Sequence, residues 1–240
     1  MNDFYFLSPL EFEMLVRPQA DGNLTLPSDG IIESSSDEDL IYCLNSLNSC
    51  GALVANSDGK GFDVTDKYKT IVRRIVLAKA IIRTVGMISS RPVYYYVSKE
   101  GAAAIESSAN RKGKLKIGAV DGDNLVDTVL DRMEFQDDSM DDNFSDDAEI
   151  DLNDKMEAEE FIVSEGISAK AEELLNSDYV FGVVDMMAAA NAMTELRLVV
   201  YRAETCEKIA VLSEDASPLF IRISRRAIVN QICSFMEAYI

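Results

Sequence analysis

Short runs rich in β-branched and aromatic residues, each bounded by polar turns, mark the last part of the chain as three strands: Glu195 to Tyr201 (E-L-R-L-V-V-Y), Lys208 to Leu212 (K-I-A-V-L) and Leu219 to Ser224 (L-F-I-R-I-S). The turns fall at Ala203 to Glu207 and Ser213 to Pro218. Beyond them the hydrophobic period lengthens to about 3.6, so that Ile228, Val229, Ile232, Phe235, Met236 and Tyr239 share one face of a closing helix. The same succession occurs earlier. Pro92 to Ser98, Gly101 to Ser107 and Leu115 to Ala119 are strand-like, with the turn A-N-R-K-G at Ala109 to Gly113. Asp123 to Met133 follows as a helix facing inward through Leu125, Val126, Val129, Leu130 and Met133.

The expected fold class is therefore α+β, in two pseudo-symmetric halves. Each half has helices, a three-strand antiparallel meander and a closing helix, and the two sheets join centrally, which would hide strand edges otherwise open to solvent. No identity at the level of residues links the halves, so chance recurrence of a common motif is the competing explanation. The pattern divides the chain into an N-terminal half over 1–134, an acidic linker over 135–152 and a C-terminal half over 153–240.

The N-terminal elements carry clear start signals. Ser8-Pro9-Leu10-Glu11 is a capping box with proline at the first helical position, opening a helix from Pro9 to Val16. Gln19 to Ser35, with two glycines, a proline and three serines, reads as a loop. Ser36 or Asp37 caps a helix from Glu38 to Ser49 that turns Leu40, Ile41, Leu44 and Leu47 inward and stops at Gly51. Ala52 to Ala55 and Phe62 to Thr65 flank N-S-D-G-K-G as a hairpin. A long helix is then expected from Thr65 or Asp66 to Thr84, with Tyr68, Ile71, Val72, Ile75, Ala78 and Ile82 as its apolar stripe. Helix, helix, hairpin and helix together suggest a winged-helix-like start.

In the second half, helices are expected from Asn153 to Ser164 and from Ser168 to Leu175. Tyr179 to Met193 is almost wholly apolar and reads as a buried core helix. The alternative is that Phe181, Met186 and Met187 line a partner groove, since flexible thioethers suit adaptable contacts.

Charge sharpens this picture. The net charge is −19, and Glu134 to Glu160 holds thirteen acids against Lys155 alone, so that stretch supplies −12 and the remainder −7. Self-repulsion and few apolar anchors make Asp137 to Asp151 an expected disordered segment. It fails as a calcium loop: counted from Asp141, position six is Asp146 rather than glycine, and position twelve is Leu152 rather than glutamate. The one basic concentration on a predicted helix is Lys67, Lys69, Arg73, Arg74, Lys79 and Arg83. Lys69, Arg73 and Arg74 are its candidate nucleic-acid contacts, which would make the protein a winged-helix DNA-binding regulator. The overall charge favours a solvated face instead, so nucleic acid is not an expected partner.

With no histidine the commonest general base and metal ligand are missing. No P-loop, dinucleotide fingerprint, nucleophile elbow or zinc spacing is present, and the paired carboxylates sit in the acidic segment. No enzyme activity, cofactor or metal is expected. The four cysteines contain no C-x-x-C. Cys43 and Cys50, about 10 Å apart along one helix at about 1.5 Å per residue, are expected to be buried thiols. No apolar run approaches membrane-spanning length and the N-terminus lacks a signal-peptide pattern, so a cytoplasmic protein without a membrane partner is expected.

Four stretches together resemble the EspG-like accessory, or chaperone, family of type VII (ESX) secretion. They are L-S-P-L-E-F-E-M-L at Leu7 to Leu15, L-N-S-L-N-S-C-G-A-L at Leu44 to Leu53, and G-A-A-A-I-E-S with K-L-K-I-G-A-V-D-G-D-N-L-V-D-T-V-L around the basic turn. The fourth is the closing succession from L-R-L-V-V-Y to R-I-S-R-R-A-I-V-N-Q-I. The resemblance covers nearly the whole chain as a pattern of residue types and spacing. It implies a duplicated α+β fold and a cytosolic chaperone that keeps helical secreted proteins soluble. The partner would meet the turn Ala109 to Lys114, including Asn110, Arg111 and Lys112, and the helical part of the second half.

Overall fold

The computed structural model describes residues 4–20, 24–27, 31–86, 91–133, 180–203, 206–213, 219–222 and 225–240. The acidic segment and both helices expected between 153 and 175 lie outside the described residues.

The chain opens with strand β1 (Phe4–Leu7) and helix α1 (Pro9–Val16). Ser8 caps α1 as expected: its hydroxyl accepts from the Glu11 N–H, and the Glu11 carboxylate accepts from the Ser8 N–H. Helix α2 (Asp37–Ser49) starts with the same reciprocal arrangement between Ser36 and Asp39. That bonding holds the Asp39 carboxyl below its usual range. Gly51 then takes φ +73°, a left-handed conformation that ends the helix at little cost only for glycine. The inward stripe of α2 differs from the expected one by a single position. Cys43 and Leu47 are buried with Leu44 beside them, whereas Ile41 is 59% exposed and Cys50 is exposed rather than buried.

The hairpin β2 (Leu53–Ala55) with β3 (Phe62–Val64) forms as expected. Helix α3 (Asp66–Val76) then stops eight residues before Thr84, and the remaining residues form strand β4 (Ala80–Gly86). No glycine or proline marks this break. A strand buried on both faces reads as a continuous apolar run, and Ala78 and Ile82 happen to extend the helical spacing of α3. The three expected strands follow as β5 (Val93–Ser98), β6 (Gly101–Ser107) and β7 (Leu115–Val120), then helix α4 (Leu125–Arg132). In the second half, β8 (Val180–Ala188) replaces the expected core helix. Then come β9 (Thr194–Ala203), β10 (Cys206–Ser213), β11 (Leu219–Arg222) and the closing helix α5 (Arg225–Tyr239).

Nine strands form one antiparallel sheet in the order β1-β7-β6-β5-β4-β8-β9-β10-β11, and β2-β3 stand apart. The seam between the halves is β4 against β8, the two segments whose apolar runs suggested helices. Each side of the seam therefore carries four consecutive strands rather than three, β4 to β7 and β8 to β11, and β1, not expected from the sequence, adds a ninth beside β7. Side chains alternate across the sheet and build two cores. Ile81, Tyr96, Ala103, Ile105, Ile117 and Met187 pack beneath α1, α2 and α3. Ile82, Tyr95, Val97, Val184, Met186, Leu198 and Val200 pack beneath α4 and α5. Gly86 and Gly182 face each other across the seam, and a Cβ on Gly86 would lie 2.5 Å from the Arg132 carbonyl oxygen. The paired glycines make the notch in which the C-terminal end of α4 crosses the sheet.

Candidate functional site

Two groups of charged side chains are built into this frame. One is the turn between β6 and β7. It is closed on itself, with the Ser108 N–H bonded to the Lys114 carbonyl at 2.8 Å, the Lys114 N–H to the Arg111 carbonyl at 3.0 Å, and the Arg111 N–H to the Ser108 hydroxyl at 3.1 Å. Gly113 supplies the left-handed residue at φ +74°. The turn is anchored by Glu11, only 4% exposed, whose carboxylate accepts from the Lys114 ammonium at 2.8 Å, the Ser46 hydroxyl at 2.5 Å and the Ser8 N–H at 2.5 Å. Burial alone would raise the Glu11 pKa, but these donors from Lys114, Ser46 and Ser8 outweigh it and bring the carboxyl down to about 2. The start of α1, the end of α2 and the basic turn thus meet at one carboxylate. The Arg111 guanidinium lies 4.1 Å over the Phe6 ring, and the Lys116 ammonium 4.0 Å over the Phe4 ring.

The second group lies at the seam. Arg83, Asp185 and Arg197 stand opposite one another on β4, β8 and β9. Asp185 is 1% exposed and takes one guanidinium on each oxygen, Arg83 at 2.7 Å and Arg197 through its Nε. Burial would lower the Arg83 pKa, but the bond to Asp185 and its charge reverse this and raise it. A carboxylate placed between two arginines is satisfied, and it ties the two halves together in a single row.

Of the residues singled out in the sequence, Asn110, Arg111 and Lys112 are exposed together on the β6-β7 turn. Met186 and Met187 do not form a groove. They lie on opposite faces of β8, 0% and 7% exposed, each within a different core. Phe181 stands on β8, with its side chain outside the described residues. The six cations expected along one helix are likewise divided. Lys69 lies 3.8 Å from Asp66, Arg73 binds Glu100 at 2.7 Å, and Arg74 donates to the carbonyls of Ala102 and Val120. Lys79 follows the end of α3, and Arg83 is a strand residue held by Asp185. Arg74 is thus a structural clamp between α3 and the sheet, and the set offers no continuous phosphate-binding stripe. Glu11 and Asp185 were not expected as site residues. In the sequence Glu11 is visible only as part of a capping box, and Asp185 only as an acidic residue within the apolar stretch from Tyr179 to Met193.

Among the described residues no group of acids and cysteines is placed to hold a metal ion, and no helix is long and apolar enough to cross a membrane.

No family model matches the chain and no curated protein matches it in sequence. Among solved structures it is similar to EspG5, the type VII secretion system chaperone of Mycobacterium tuberculosis, solved in complex with the PE25-PPE41 dimer. The identity is 9%, the likeness covers 99% of this chain and 97% of that one, and the TM-score is 0.53. The class this defines is structural: a distant EspG-like α+β fold.

Proposed function

We propose that the protein is a cytoplasmic chaperone of the type VII secretion kind, a non-enzymatic binding protein that masks the apolar surface of a helical secreted partner. The observation that carries this reading is the end-to-end likeness in fold to a chaperone of that system, over 99% of the chain. The physical task is plain. An amphipathic helix pair bound for export exposes apolar area worth about 25 cal/mol per Å² once covered, enough to drive aggregation if it is left bare. The exposed turn at 109–114 supplies one contact with the partner, as does the second half of the chain. The internal two-fold relation of the halves belongs to the same proposal, supported by the runs of four consecutive strands on either side of the seam, β4 to β7 and β8 to β11.

The test is co-expression with small helical secretion proteins encoded beside this one. A stoichiometric complex that stays together in size-exclusion chromatography with light scattering is expected, together with higher soluble yield of the partner. Failure to capture any of them would overturn the proposal.

A further inference from the structure

Four of the chain's 23 cations fall within residues 111–116, in a protein of net charge −19. The structure uses them in two ways. Lys114 is neutralised by Glu11, and Lys116 by Glu106 at 2.8 Å. Arg111 and Lys112 are exposed and have no acidic partner among the described residues. Phe6 fixes the direction of the Arg111 guanidinium without removing its charge. The hydrogen bonds within 108–114 and the Glu11–Lys114 pair order the backbone before any partner arrives, which lowers the entropy cost of a contact.

We propose that this turn is a preset cationic contact for a pair of carboxylates one turn apart on the helical partner, with Arg111 and Lys112 as the recognising side chains and Glu11 as the residue that positions them. This rests on the chaperone reading and adds the chemistry that the partner must present. Glutamates at i and i+4 on a helix have their Cβ atoms about 5–6 Å apart, which brings both carboxylates within reach of two long cationic side chains on adjacent residues. Most of this acidic surface repels an acidic partner, so attraction confined to one turn sets the partner's orientation more than its affinity. Nucleic acid fits less well. Its phosphates repeat along the whole duplex and require a row of cations, whereas two are free here.

Two synthetic helical peptides of about 20 residues, long enough to hold helical structure, test the idea. One carries glutamates at i and i+4 and the other glutamines, and each is titrated against the full-length protein by fluorescence anisotropy. The glutamate peptide is expected to bind about tenfold more tightly, and to lose that advantage with R111E/K112E but keep it with K60E/K69E, an equal charge change elsewhere. Glu11→Gln is expected to reduce the advantage about threefold and to speed amide exchange across 108–114 more than at the other amides. Equal binding of both peptides, equal effects of the two double variants, or tighter binding of a DNA duplex overturns the proposal. Unchanged peptide binding by Glu11→Gln removes its positioning role. Capture of a secretion partner that survives R111E/K112E unaltered refutes this contact alone, whereas absence of any captured partner refutes the chaperone reading.

Discussion

Glu11 illustrates how much depends on a single buried carboxylate. Its pKa falls from 4.5 to about 2, so the charged form is favoured in the folded protein. A depressed carboxylate contributes stability that is complete above its unfolded pKa and lost as the pH falls through the folded one, here between about 4.5 and 2. Glu11→Gln is therefore expected to unfold more easily in urea at pH 7, by on the order of 3 kcal/mol from the linkage of about 1.4 kcal/mol per pKa unit. The gap between the variant and the parent should close as the pH drops to 2. A gap independent of pH would show that the ion pair and hydrogen bonds are not its source. The capping role of Glu11 could be read from S-P-L-E. Its bonds to Lys114 and Ser46 could not, since those partners are 103 and 35 positions away.

Helices and strands were recognised wherever their two sides differ. α2, α4 and α5 each have one wet face and one dry face, α1 is announced by its capping box, and β5, β6 and β7 are separated by polar turns. α2 shows the limit of such reading: placing Ile41 inward in place of Cys43 shifts the stripe by less than one turn, and only packing against α1 decides between them. β4 and β8 carry no such signal because neither has a wet side. Both are covered by helices or core on each face, so their hydrophobic spacing carries no period to detect. The glycines in them were the remaining clue, since Gly86 and Gly182 mark where α4 must approach the backbone closely. Gly86→Ala is expected to destabilise the protein by about 1–3 kcal/mol, because the new methyl meets the Arg132 carbonyl rather than a movable side chain. Gly182→Ala, where the nearest atoms are the Val85 carbonyl oxygen at 3.1 Å and the movable Met133 side chain at 3.3 Å, should cost less. Urea midpoints of the two variants provide the comparison, and equal or reversed costs would contradict the notch.

The continuous sheet makes the two halves structurally dependent on each other. Residues 1–134 taken alone would leave the edge of β4 open over seven residues, with its partner β8 missing. Such an edge is a template for pairing with another chain. The fragment is expected to self-associate at concentrations where the whole protein does not, as size-exclusion chromatography would show. A monomeric fragment with a cooperative unfolding transition would instead establish the N-terminal half as independent. The same arrangement explains why Met186 and Met187 could not serve as a groove. Joining the sheets through β8 places one methionine in each core and leaves neither at the surface.

The sequence by itself determined the α+β class, the caps, eight of the eleven described strands near their observed places, the hairpin pair among them, and the basic turn with Asn110, Arg111 and Lys112 at its tip. These features depend on local signals: turn residues, caps and a difference between two faces. Tertiary structure alone decided that β1, β4 and β8 are strands, that the halves meet through β4 and β8, that Arg83 and Arg197 share Asp185, and that Glu11 holds the turn. Each of those outcomes depends on partners far apart in the chain, and burial on both faces erases the periodic pattern from which a strand is recognised.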